Sequence, residues 1–271
     1  MLNRIAARRK MNEIPTLVGE VVASRQLTPR MQRVTMGGHD LARFEPKGPD
    51  QFMYLLLPPP GRDDLTVDRD FTWEGYRRMP KELQPVGAYY TVRHHRLVER
   101  EIDFDIVLHE SRSPDDGHGS RWAASARAGQ PVALWGPRVA YSPPEATSEI
   151  YVFVDETGIP AASCIVESIT PGQRARVLIE VGGREDEVPI ARDGVDVEWL
   201  YRNGRPPGST TLLQDAAFAA QRPNPDTSYV YGGAESRTMK TIRTHVRRTW
   251  GIPKESVSMV PYWRATADHS E

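Results

Sequence analysis

Residues 149–169 read EIYVFVDETGIPAASCIVESI. From Ile150 to Val154 no charged residue interrupts the run, and its β-branched and aromatic side chains favour an extended strand. A strand without polar alternation is apolar on both faces, as strands of parallel, helix-covered sheets are. After Asp155 the chain switches to small and apolar residues behind a Gly-Ile-Pro start, so TGIPAASCIVESI is predicted as the helix behind that strand. The alternation continues downstream. RARVLIEVGG (174–183), VDVEWLYR (195–202) and TSYVYGG (227–233) read as strands, and TTLLQDAAFAAQ (210–221) as a helix. ESRTMKTIRTHVRRTWG (235–251) sets Met239, Ile242, Val246 and Trp250 three and four residues apart and stops at Gly251 and Pro253. This pattern predicts a parallel sheet flanked by helices.

The first half has a different period. EIDFDIVLHE (101–110) puts Ile102, Phe104, Ile106 and Leu108 on one face, with acids between them. LVGEVVASRQLTP (17–29), MQRVTMGG (31–38), QFMYLLLPPPG (51–61) and PVALWGPR (131–138) are further short, turn-punctuated strands, which together predict an antiparallel barrel or sandwich. The charged, Pro-rich stretch 58–85 is predicted to run over the surface. The one helix signal here is GHGSRWAASARAG (117–129), with Ser120 as N-cap and Gly129 as stop. The boundary falls near the Pro-Pro linker between Tyr141 and Ser148. The expected division is a flexible tail over 1–12, a first domain over 13–144 and a second over 145–271.

A net charge of −1 and a pI near 6.7 set up no global field for nucleic acid or an acidic membrane, so any anion site must be local. The single cysteine, Cys164, excludes an intramolecular disulfide and reads as a small core residue of its helix. The basic N-terminus lacks a secretory h-region, and no apolar run is long enough to span a membrane, so a soluble, cytoplasmic protein is expected.

Two stretches carry chemistry. In GAYYTVRHHR (87–96), Tyr90 and Val92 face one way on a strand while Thr91 and Arg93 face the other. A ring and a hydroxyl there would bracket a flat heterocycle, with Arg93 reaching its phosphates. His94, His95 and Arg96 find no obvious partner. In GHGSRWAA (117–124), Gly117 and Gly119 permit a tight turn into a helix start, which suits a phosphate and has Arg121 beside it. Taken alone, each stretch is an ordinary strand or an ordinary glycine turn. Adjacent His94 and His95 point to opposite faces and nothing supplies ligand spacing, so no metal is expected.

In order along the chain, these motifs resemble the siderophore-interacting proteins, flavin-dependent ferric-siderophore reductases of the ferredoxin-reductase superfamily. Tyr90, Thr91 and Arg93 match that family's Arg-x-Tyr-Thr-x-Arg strand. IVLHE followed by GHGSRWAA is similar to its Val-Leu-His and Gly-Pro-Ala-Ser-x-Trp-Ala pair. VDETGIPAA (154–162), WLYR (199–202), GGAESRTMKTIR (232–243) and PYWR (261–264) resemble its later motifs.

The resemblance implies a β plus α/β protein of two domains: an antiparallel Greek-key FAD-binding barrel, then a parallel-sheet NAD(P)H-binding domain. It implies FAD held by Tyr90, Thr91, Val92, Arg93, His109, Gly117, His118, Gly119, Ser120, Arg121 and Trp122. NADPH or NADH would meet Asp155, Glu156, Thr157, Gly232, Gly233, Glu235 and Ser236. A ferric siderophore would meet Arg138, Arg264 and the position of Tyr54, with Arg77 and Arg78 as further candidates. The flavin carries the redox chemistry, so no side chain is assigned as catalytic. The chain departs from the pattern at Ala88, where the strand motif has its first arginine, and at Tyr54, where a lysine is frequent. These departures keep two alternatives open: a general flavin reductase or electron-transfer flavoprotein, and a flavin-poor siderophore-binding protein.

Overall fold

The structure is a computed structural model and describes residues 14–109 and 117–265; the tail expected over 1–12 lies outside them. Six strands, β1 (Thr16–Thr28), β2 (Met31–Gly37), β3 (Phe52–Leu57), β4 (Val86–Arg96), β5 (Glu101–Val107) and β6 (Pro131–Arg138), close into an antiparallel barrel. Their order around it is β1-β2-β5-β4-β3-β6, and the jumps from β2 to β3 and from β5 to β6 make it a Greek key. Inward residues follow the period of two: Met53 and Leu55 on β3, Ile102, Phe104 and Ile106 on β5, and Val132 and Leu134 on β6 fill the interior.

The stretch 58–85, expected to run over the surface, contains a short helix, α1 (Trp73–Arg78). Thr72 caps it by accepting the Gly75 N–H at 3.0 Å. Trp73 holds it to the outside of the barrel, packing edge-on against Tyr54 (5.0 Å between ring centroids) and Trp135 (5.5 Å). Sequence period misses this helix because aromatic contacts to the barrel, and not an amphipathic stripe, stabilise it.

Helix α2 (His118–Ala124) is shorter than expected: Ser125 ends it, and Gly129 lies in the loop beyond. Its N-cap is Gly117 in the left-handed region (φ 67°), not Ser120. Ser120 is the third helical residue and is buried. Its hydroxyl accepts the backbone N–H of His109 (2.9 Å) and donates to the same residue's carbonyl (3.2 Å), clasping the chain just after β5.

In the second half, β7 (Glu149–Asp155), β8 (Arg174–Val181), β9 (Val195–Tyr201), β10 (Ser228–Glu235) and β11 (Val257–Trp263) form a parallel sheet in the order β11-β10-β7-β8-β9. The apolar run from Ile150 to Val154 lies on its middle strand, β7. Helices α3 (Ile159–Ser168), α4 (Leu212–Ala219) and α5 (Ser236–Arg248) accompany the sheet. Met239, Ile242, Val246 and Trp250 are buried as the spacing of three and four requires. Cys164 is half-buried on α3 and not in its core.

Of the described residues, those up to Lys47 together with Gln51–Val139 form one compact unit; Gly48–Asp50 and those from Ala140 onward form the other. The three-residue piece is anchored by Asp50, whose buried carboxylate accepts the Ala140 N–H at 3.1–3.2 Å and whose pKa burial raises. No described helix is long and apolar enough to cross a membrane.

Candidate functional site

In the barrel unit, Tyr90 and Val92 turn inward onto the core, while Thr91 pairs with Phe52 on the opposite side of β4 and is itself buried. The ladder between β4 and β5 shifts register between Val92 and His94, which places a bulge at Arg93 and ends the strict alternation there. Tyr90 is the link to α2. A Cβ placed on Gly119 would sit 1.8 Å from the Tyr90 hydroxyl oxygen, so the bare glycine lets the helix start close against the ring. Burial pushes the Tyr90 phenol up to about 12, so it stays neutral.

The first turn of α2 has a glycine as its N-cap and thus no side-chain acceptor of its own there. Arg121 is exposed on that turn, with His118 at 3.1 Å; Trp122 packs inward on the barrel core, and His109 is exposed. These residues fit a pyrophosphate-bearing cofactor: the backbone donors of a glycine-capped turn, a cation and an adjacent ring strand. Ala88 pairs with Leu55, so no arginine reaches out from its position.

The basic end of β4 has partners that the sequence does not reveal. Asp103, one of the acids between the apolar residues of β5, is buried. Its carboxylate accepts two Arg96 N–H groups at 2.7 Å, the Thr35 hydroxyl at 2.7 Å and His94 Nδ1 at 3.1 Å. Burial pushes its pKa up, but the hydrogen bonds from Arg96, His94 and Thr35 outweigh it and hold the carboxyl well below the usual range. His95 packs on Phe44 at 4.6 Å, and burial and the Arg96 charge lower its pKa, keeping it neutral. His94 and Arg96 are thus tied to Asp103 and His95 to Phe44, so the three do not simply lead into solvent.

In the second unit, the C-terminal edge of the sheet gathers several expected residues around the Asp155 carboxylate. Oδ1 accepts from the Thr157 N–H (2.9 Å) and hydroxyl (2.5 Å), and Oδ2 accepts from the Glu235 N–H (3.1 Å) and Trp263 Nε1 (2.7 Å). Three strand ends, those of β7, β10 and β11, are thereby tied together. Burial and the neighbouring Glu156 charge push Asp155 up to about 7, against the pull of its donors. Glu156 turns away and pairs with buried Arg202 through two bonds of 2.5 and 2.8 Å. Arg202 also reaches Glu180 at 3.5 Å, whose carboxylate accepts the Thr210 hydroxyl (2.8 Å) and the Leu213 N–H (3.2 Å).

Glu235 fills the start of α5 itself, its carboxylate accepting the N–H groups of Arg237 (2.6 Å) and Thr238 (3.0 Å). A phosphate there would have to displace it. Ser236 is half-buried beside it; Gly232 and Gly233 are buried, with the Tyr262 ring 3.0 Å from where a Gly233 Cβ would be. The sequence reading missed Arg202 as more than a motif letter, and likewise Glu180, Thr210 and Trp263. Only Arg202 and Trp263 carried a signal, in WLYR and PYWR.

Asp155 gives a pH test. A carboxyl whose folded pKa is raised binds a proton in the folded chain that the unfolded chain has already released, so its contribution to stability is greatest near pH 4 and declines toward pH 7. The stability gap between wild type and Asp155→Asn is therefore expected to narrow from pH 5 to pH 8 in urea titrations. A gap that stays constant across that range would show that the four donors hold Asp155 ionised throughout.

A closed Greek-key barrel followed by a parallel sheet is the fold of the ferredoxin reductases. The ferredoxin reductase of a carbazole 1,9a-dioxygenase superposes with a TM-score of 0.65 at 16% identity, covering 92% of this chain and 70% of that one. On that fold, residues 20–141 match the siderophore-interacting FAD-binding domain and residues 147–266 match the siderophore-interacting protein model. The chain belongs to the siderophore-interacting protein family. A siderophore utilization protein from T. fusca is similar in structure, with a TM-score of 0.82 at 28% identity over 96% of this chain and 97% of that one. An NADPH-dependent ferric-chelate reductase of Escherichia coli is 25% identical over 250 residues, 90% of this chain and 91% of the relative.

Proposed function

We propose that the protein is an NADPH-dependent ferric-siderophore reductase that works through bound FAD. The observation that carries this reading is the match of both halves, in order, to the family's two domain models. In the barrel unit, the β4 segment from Tyr90 through Thr91 and Val92 to Arg93 would run along the flavin, and the α2 turn from Gly117 to Trp122, with His109, would take its pyrophosphate. Bound FAD supplies the conversion from a two-electron donor to one-electron acceptors. One NADPH, giving up two electrons and releasing a proton, reduces two ferric chelates to the ferrous state. Hard oxygen donors hold Fe(II) less tightly, so reduction frees the metal.

The nicotinamide is assigned to the C-terminal edge of the parallel sheet, where such folds bind ligands. There Thr157, Gly232, Gly233 and Ser236 would line its path, while Asp155, Glu156 and Glu235 hold the edge together from within. Arg138, opposite Phe52 on β3, is the cation assigned to the siderophore in the barrel unit, and exposed Arg264, just after β11, is the one in the other unit. Arg77 and Arg78 are exposed on α1, and Arg78 pairs with Glu74 at 2.6 Å.

The purified protein is expected to be yellow and to release FAD on denaturation. Anaerobic NADPH should bleach it, and a ferric siderophore should restore the colour. A colourless protein that FAD cannot reconstitute would overturn the reading. If oxygen reoxidises the flavin and no ferric chelate does, the protein is a general flavin reductase instead.

A further inference from the structure

The outer face of the barrel between β3, β4 and β6 carries rings that the core does not use. Tyr89 lies on this face opposite Tyr54, and Phe52 lies opposite Arg138. Phe52 and Tyr54 both meet Tyr89 edge-on, at 5.4 and 5.0 Å between centroids, and so hold that ring from two sides. Tyr89 nevertheless remains 44% exposed. Tyr54 is itself fixed: its hydroxyl donates to the Gly87 carbonyl at 2.8 Å, and Trp73 packs behind it.

Arg138 completes the arrangement. Its guanidinium carbon lies 5.5 Å from the Phe52 ring centre and 5.7 Å from that of Tyr89, and Nη1 donates to the Tyr89 hydroxyl at 3.2 Å. Among the described residues no carboxylate pairs with it, although Arg62, Arg69 and Arg78 of the same unit all have acidic partners. A guanidinium seated on ring faces is held in place and keeps donors for an incoming acceptor.

We propose that Phe52, Tyr89 and Arg138 form a subsite for the aromatic ring of a ferric chelate of low net charge. The proposal rests on the reductase reading above and names the substrate class of that site. An aryl ring on the chelate would stack on exposed Tyr89, and Arg138 would donate to the chelate's iron-binding oxygens. An aliphatic chelate offers the oxygens but no ring face. A highly charged chelate would bring several negative charges to an aromatic surface with one positioned cation, and the charges left unmatched would lose water without compensation. Both observations, the uncovered ring and the unneutralised guanidinium, are met by one ligand class.

Two uncharged complexes isolate the ring: tris(benzohydroxamato)iron(III) and tris(acetohydroxamato)iron(III). Calorimetric titration of the FAD-loaded protein without nicotinamide avoids turnover. Wild type is expected to bind the benzohydroxamate complex about tenfold more tightly, as one added aromatic contact allows. Tyr89→Leu should bring the two affinities together while keeping its full FAD content. Arg138→Gln should weaken both, and trianionic tris(catecholato)iron(III) should bind no more tightly than the benzohydroxamate complex. Equal affinities in wild type, a preference that survives Tyr89→Leu, or loss of FAD from that variant would overturn the subsite. Tenfold tighter binding of the trianionic complex would overturn the charge assignment. If none of the three complexes binds, the siderophore reading falls with it; if all bind alike, only the subsite falls.

Discussion

Gly119→Ala is expected to destabilise the barrel unit by about 2 kcal/mol and to strip FAD from the protein. On an open helix surface alanine would be the better residue by about 1 kcal/mol. Here its methyl group would lie 1.8 Å from the Tyr90 hydroxyl oxygen and 2.9 Å from the ring carbon that bears it. A flexible side chain would move aside. Tyr90 cannot do so cheaply, because its ring packs on the barrel core. The strain must lift α2 from β4, and with it the glycine-capped turn assigned to the pyrophosphate. Urea unfolding measures the first effect and flavin absorbance after gel filtration the second. Removing the hydroxyl should relieve the closest contact, so Gly119→Ala with Tyr90→Phe is expected to regain part of the loss. A single variant as stable and as yellow as wild type would show that the contact between helix and strand is not tight.

Arg202→Leu should cost more, about 3–5 kcal/mol, because it leaves buried carboxylates without their cation. Arg202 is 2% exposed and stands between Glu156 and Glu180, with Asp155 adjoining Glu156. Its own pKa is raised: burial works to lower it, and the bonds and charges of Glu156, Glu180 and Asp155 prevail. Without the guanidinium, the remaining acids can relieve their repulsion only by taking up protons. The loss is therefore expected to be larger at pH 8 than at pH 5, again by urea titration. Replacing Glu156 by leucine as well removes one orphaned charge and should recover part of the stability. A single variant with unchanged stability at pH 8 would mean that solvent reaches these carboxylates.

Much of the fold is legible in the chain itself. Ile102, Phe104 and Ile106 alternate with acids and line the barrel; Met239, Ile242, Val246 and Trp250 recur at helical spacing and are buried. These patterns are local, because side-chain direction follows from backbone period alone. The site is legible only in outline. Tyr90 and Gly119 each stand out in the sequence, but nothing local says that one touches the other. Ser120 has the chemistry of an N-cap and serves a different task, since the turn before it lets Gly117 take that position.

The sequence by itself determined the change from a barrel to a helix-flanked sheet, the order of the motifs and the family they resemble. Only the tertiary structure decided where the charges go. Arg96 and His94 find Asp103, Glu156 finds Arg202, and Glu235 closes the start of α5 that the sequence leaves open to a phosphate. The reason is physical: burial of a charge is tolerable only beside a partner, and partners are chosen by distance in space. Period and propensity record what each residue prefers; which two preferences are satisfied together depends on the fold.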